Sequence, residues 1–205
     1  MPILSPIERR RAYRALDDRP IPEAVLLRLA EAACLAPSCM NNQPWRILTV
    51  RDPARLAGLR PALTKGNYWA LRAPAIAAFV SRLEWDARLS EGRDYAFFDL
   101  GMAAMNYQLQ AVEEGLVAHP IAGFDPVAAK RALGVPEAAV LLALVVLGYP
   151  GDPAGLSDKH RESEVAPRSR KPMDEVHAFD AWDARLEPAP AGPQASPAAT
   201  RRSKP

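Results

Sequence analysis

The chain has 205 residues, 49% of them hydrophobic and 24% charged, which suits one domain with a sizeable core. Its 26 basic and 24 acidic residues leave a formal charge of +2, so neither nucleic acid nor a membrane surface is indicated as a partner. The start, Met1-Pro2-Ile3-Leu4-Ser5, has no apolar signal region, and the longest apolar run, Ala138 to Leu147, falls well short of the roughly 20 residues that span a bilayer.

Ser5-Pro6-Ile7-Glu8 reads as a helix start, with serine capping, proline in the first turn and glutamate reaching back. The helix it opens carries Arg9, Arg10, Arg11 and Arg14. Pro22 to about Ala36 is a second helix, with Val25, Leu26, Leu29 and Ala33 on one face. A polar loop follows, Ala36-Pro37-Ser38-Cys39-Met40-Asn41-Asn42-Gln43-Pro44-Trp45. Trp45 to Val50 reads as a strand, and Asp52-Pro53 opens a helix burying Leu56, Leu59 and Leu63. Gly66-Asn67-Tyr68-Trp69 is a turn with exposed aromatics, and Ala75 to Val80 a strand.

The clearest element is a long helix. Phe98, Met102, Met105, Leu109, Val112 and Leu116 recur at steps of four and three, which marks a core helix or one that packs against a partner chain. Asp125-Pro126 caps a short helix closed by Gly134, and Ala138 to Gly148 is a fully buried strand. Residues 150–172 are polar, and Asp174 to Leu186 regains Val176, Phe179 and Trp182 as an arm that packs elsewhere. Residues 187–205, rich in proline and alanine, are expected to be disordered. The fold class is α+β, with one domain over 1–186.

The candidate chemistry is sparse. Arg10, Arg11 and Arg14, with Arg168-Ser169-Arg170-Lys171 far along the chain, could converge on a phosphate, which arginine grips through its planar fork; alternatively each group is a solvated basic face. The Pro37–Trp45 loop could bracket a planar ligand with its amides, or be an ordinary turn. Around Pro120 and Gly123 the backbone could approach a flat ligand, since glycine has no Cβ to block it. His119, His160 and His177 have no metal-ligand spacing, and His119 reads as structural. Glu84, Asp86, Asp94 and Asp99 form no evident acid/base pair, although Asp99, on the long helix, could be a buried polar anchor. Cys34 and Cys39 form no disulfide framework, and Cys39 has no neighbouring base to make it a nucleophile. A reducing cytoplasm is the expected compartment. Anchors without proton-transfer groups suit a protein whose cofactor carries the chemistry.

These segments, in order, resemble the FMN-dependent nitroreductase family over about residues 5–186. Arg10-Arg11-Ala12-Tyr13-Arg14 is similar to the family's phosphate-binding opening, and Pro37, Ser38, Cys39, Asn41 and Gln43 lie in a loop similar to its most specific motif. Asn67 matches the turn that meets the pyrimidine edge of the flavin. Pro120, Ile121, Ala122 and Gly123 resemble the segment beneath the isoalloxazine, and Arg168 and Arg170 the C-terminal basic pair. Two departures stand out: Ala12 replaces a frequent serine, and Ala122 stands where some members carry glutamate. The resemblance implies a three-layer fold with a mostly antiparallel central sheet, and an intertwined homodimer with FMN at the interface, where the Pro37–Gln43 loop often comes from the partner. It further implies ping-pong hydride transfer from NAD(P)H through flavin N5 to nitroaromatic, quinone or similar acceptors. No side chain is assigned a catalytic role, and no metal is implied. The alternatives are a same-fold flavoenzyme with other chemistry (dehalogenation, flavin fragmentation or dehydrogenation) and a redox-inactive flavin-binding protein.

Overall fold

All seven residues of strand β3 (Ala75–Ser81) are buried, as is most of β5 (Val140–Pro150). A strand buried on both faces must be covered by helices on each, and the side chains divide with the period of two that a pleat imposes. Ile76, Ala78, Val80, Leu144 and Val146 belong to one core; Ala75, Ala77, Phe79, Val145 and Leu147 belong to the other. The computed structural model describes residues 2–188 and divides into two compact units, one running to Val165 and the other starting at Ala166.

In the first unit every strand pairing is antiparallel. β5 pairs β3, β3 pairs β2 (Arg46–Val50), and β5 also carries β4 (Val117–Ile121) and the two-residue β1 (Leu16–Asp17). The β3–β5 register slips at Phe79/Val80, a bulge that re-aims the end of β3. One face of the sheet is covered by α2 (Glu23–Cys34) and α4 (Tyr95–Glu113), the other by α3 (Pro53–Leu59) and α5 (Pro126–Leu133). The result is the three-layer α+β arrangement that the resemblance implied.

Local chemistry explains most boundaries. Asp52 accepts from Arg55 N–H and starts α3; Asp125 accepts from Val127 and Ala128 N–H and starts α5, which Gly134 ends at φ 68°. The opening departs from expectation. α1 spans Ser5–Arg9 alone, behind Leu4, which supplies no side-chain cap, and Ser5 Oγ instead accepts from Arg9 Nε at 3.0 Å. Arg10 already has extended dihedrals (φ −58°, ψ 122°), so Arg10, Arg11 and Arg14 lie on an extended segment and not on one helical face.

The second departure concerns α4. Its core-facing residues are Ala96, Asp99, Leu100, Ala103, Tyr107, Gln108 and Ala111, alanines interspersed with large side chains. The bulky stripe looks outward: Phe98 is 62% and Met105 42% exposed, and Met102, Leu109 and Val112 are half-buried. Leu116, however, lies in the core and Met102 packs against it, so the helix serves the intrachain core as well as presenting an apolar outer face. Helix α6 (Asp158–Val165) has no counterpart in the sequence reading, because no apolar period marks it.

The second unit, as far as it is described, consists of turns at Met173–Glu175 and Ala184–Leu186, with Phe179 and Trp182 exposed. Most of the 187–205 tail lies outside the described residues. Among the described residues no helix is long and apolar enough to cross a membrane.

Candidate functional site

Strand β4 and the turn after it are tied at both ends to segments singled out from the sequence. At its centre His119 Nδ1 lies 2.9 Å from the Tyr13 carbonyl, which can only accept, so Nδ1 carries the proton. Beyond its end, the Gly123 carbonyl accepts from Asn67 Nδ2 (2.8 Å), Thr64 Oγ1 (2.9 Å) and Thr64 N–H (3.0 Å). A Cβ on Gly123 would lie 2.6 Å from Asn67 Nδ2 and 2.8 Å from Thr64 Oγ1, so glycine is what permits this closeness. The Arg10–Arg14 segment, Asn67 and the Pro120–Gly123 segment therefore form one continuous wall. Pro120 and Ala122 are exposed on it, while Ile121 turns into the core.

His119 is buried against Trp69, with ring centroids 4.5 Å apart. Burial, then the nearby cations Arg14 and Arg10 together with His160, press its pKa down to about 4, against the opposing effect of the Tyr13 carbonyl. It is a neutral structural group, as expected. Trp69 corrects the expectation of an exposed aromatic turn: 65–72 is a helical turn that buries Trp69 and leaves Tyr68 partly outside. Tyr68 OH accepts from Ser157 N–H at 2.7 Å and lies 3.1 Å from His160 Nδ1, with the two rings stacked. That Ser157 bond lowers the phenol pKa. A cleft of about 700 Å³ opens beside this turn, lined by Arg60, Thr64, Lys65, Asn67 and Tyr68 among others.

Glu164 completes the wall and was not foreseen. Its carboxylate accepts from Arg14 N–H (2.9 Å) and Ala15 N–H (3.2 Å), holding the basic segment extended where no strand partner satisfies it. Nothing in the polar sequence around Glu164 distinguishes it from a solvated helix face.

The Pro37–Gln43 loop belongs to the opposite layer. Its flanking residues Ala36 and Trp45 are in the core beneath α2 and α4, and Ser81 Oγ donates to the Pro44 carbonyl at 2.7 Å. Ser38 Oγ accepts from Gln43 N–H at 2.9 Å, so its hydroxyl closes the loop on itself. Met40, Asn41 and Gln43 have φ of 52°, 57° and 50°, a strained region for residues with a Cβ. Met40, Asn41, Asn42 and Gln43 are exposed. Beneath them Asp99 accepts from Cys39 N–H at 2.6 Å and Asp86 from Asn42 Nδ2 at 3.1 Å. Asp99 is thus the buried anchor expected, and Asp86 and Asp99, apparently unrelated in the sequence, are brought together. Arg168 and Arg170 lie exposed in the second unit, where Arg170 donates to the Ser169 carbonyl. Among the described residues no cluster of metal-ligating side chains occurs.

The model of the Nitroreductase family matches residues 7–67 and 62–149, well over half of the chain. The chain belongs to the nitroreductase family. A Thermus thermophilus relative named NADH dehydrogenase is 35% identical over 175 residues, covering 70% of this chain and 84% of that protein. A solved structure described as an oxidoreductase containing FMN superposes with a TM-score of 0.79 at 29% identity, over 89% of this chain and 94% of that one. A nitroreductase family protein from Clostridium novyi NT gives 0.68 at 25% identity, covering 78% and 92%. The wall on β4 and the strained loop are thus features of a nitroreductase family chain.

Proposed function

We propose that the protein is an FMN-dependent oxidoreductase taking electrons from NAD(P)H and passing them to nitroaromatics, quinones or similar conjugated acceptors. The observation that carries this reading is the wall itself: a basic segment, a carboxamide turn and a small-residue turn, joined through His119 and Gly123. Those groups fit the parts of FMN. Arg10 and Arg14 would hold the phosphate, and Arg168 and Arg170 are further candidates for holding it. The backbone at Pro120–Gly123 would face the flat ring, since the Ala122 side chain is too small to intrude, and Asn67 would meet the ring edge. Bound FMN would supply the hydride transfer, and the chain would bind, orient and shield it.

A homodimer would complete the site. The exposed Phe98–Met105 stripe of α4 is an apolar face such as a partner chain covers, and the Pro37–Gln43 loop, on the far layer from the wall, would serve the partner's flavin. A soluble cytoplasmic enzyme is the setting this chemistry suits.

An absorbance spectrum tests the core of the reading: a flavin band bleached by NAD(P)H and restored by a quinone is expected. A colourless protein that takes up no FMN refutes it, and bound FMN that NAD(P)H does not reduce favours a redox-inactive flavin-binding protein. If the arginines hold the phosphate, Arg14→Ala and Arg170→Ala each lose FMN; full occupancy in both sinks that assignment.

A further inference from the structure

Outside the strained loop, Arg46 donates to the Gln43 carbonyl at 3.2 Å, and the other two anchors are carboxyl groups. Asp99 Oδ2 accepts from Cys39 N–H, and Asp86 Oδ1 accepts from Asn42 Nδ2 and from Ala87 N–H at 2.8 Å. The other two oxygens, Asp99 Oδ1 and Asp86 Oδ2, are fully buried and lack any hydrogen-bond donor. They are enclosed by this chain, so neither cofactor nor partner subunit satisfies them. The two side chains lie within hydrogen-bonding reach of one another. If both were ionised, two buried acceptors would face each other unpaired, and like charges would repel in a poorly solvated place. One proton between them removes both penalties, as in other close carboxyl pairs.

We propose that Asp86 and Asp99 hold a single proton between them and that this pair positions the 38–43 loop. Both are positioning residues, since they act on the loop and not on a reacting atom. The surrounding charges do not supply the missing counter-ion. Arg46 and Arg82 lie over the Trp85 ring, 4.9 and 5.1 Å from its centre, Arg82 is 3.9 Å from Glu84, and Arg88 pairs with Asp94 at 3.4 Å. No cation is among the groups acting on Asp99, which is raised first by burial and then by Asp86, against the lowering effect of Cys39 N–H. A carboxyl raised on folding stabilises the folded loop at low pH and loses that contribution as pH climbs through its folded value. The loop therefore loosens as pH rises through that value.

Hydrogen exchange at residues 38–43 in the full chain, divided by the intrinsic rate at each pH from about 5 to about 9, tests the pair. Asp99→Ala removes the Cys39 acceptor and is expected to speed exchange there roughly tenfold to a hundredfold. Asp99→Asn and Asp86→Asn mimic the protonated partner, with an oxygen for the loop and an N–H for the other carboxyl. Each is expected to keep the loop protected and to flatten its pH response. Wild-type protection in Asp99→Ala, or an unchanged pH response in both asparagine variants, overturns the proposal. Should Asp99→Ala fail to fold, the asparagine variants decide alone. The inference gains its functional meaning from the flavin reading, which FMN titration of the same variants checks separately. A loosened loop with unaltered FMN affinity keeps the pair and removes the loop from the flavin site.

Discussion

Gly151→Ala offers a test of how the basic segment is held. A methyl at Gly151 would sit 2.4 Å from the Leu16 carbonyl carbon, 2.5 Å from Asp17 N and 2.7 Å from Leu16 O. These are backbone atoms of β1, so no rotamer change relieves the clash. β1 pairs through only two residues, Leu16 with Pro150 and Asp17 with Tyr149, and Gly151 N–H adds a bond to the Ala15 carbonyl at 3.0 Å. Displacing it loses one or two backbone hydrogen bonds at about 1 kcal/mol each. Part of the burial of Leu16, worth about 1.5–3 kcal/mol if lost completely, goes with them. The expected total is about 3 kcal/mol, which lowers Tm by roughly 6–12 °C in a chain of this size. Gly155→Ala is the control: its new methyl meets nothing nearer than Arg72 Nη1 at 3.9 Å, and neither glycine has positive φ. It should be neutral or stabilising by about 0.4–1 kcal/mol. Differential scanning calorimetry reads both; a Gly151→Ala midpoint indistinguishable from the control would refute the reasoning.

Gly123→Ala is milder, since Asn67 and Thr64 present side-chain ends that can swing away while Thr64 N–H still serves the Gly123 carbonyl. A cost of about 1 kcal/mol is expected, with a larger effect on FMN affinity through displaced Asn67; unaltered flavin titration would separate Asn67 from the cofactor. His119, brought from 6.5 to about 4 by burial, should contribute up to about 3 kcal/mol of stability above pH 6.5 that is lost as pH falls toward 4. Urea unfolding of wild type and His119→Gln across that window should give converging curves, and parallel ones would contradict a buried neutral imidazole.

The sequence was most legible where local chemistry and periodicity act alone. Asp52 and Asp125 before prolines, Gly134 as a stop, and the apolar strand at 138–148 all appear close to where they were expected. It misled where a local signal met a tertiary competitor. Ser5-Pro6 promised a helix through Arg14, yet the Tyr13 carbonyl goes to His119 and the Arg14 and Ala15 amides to Glu164, bonds that favour an extended chain. On α4 the apolar period was real but only part of it met the core: Phe98 and Met105 face outward, while Leu100, Tyr107 and the alanines between them are buried.

The candidate site divides the same way. Residue identity alone marked the arginines, the amide-rich loop, Asn67 and Gly123, since charge, carboxamides and a missing Cβ are properties of single side chains. Which of them meet was decided by the fold. Tyr13 meets β4 through His119, Asn67 meets the turn after it through the Gly123 carbonyl, and the 37–43 loop stays on the other layer, over α4. Asp86 and Asp99 are separated by a loop and the start of a helix, and no periodicity relates them. Only packing that strips away water makes two ordinary carboxylates into a pair that must account for its charge.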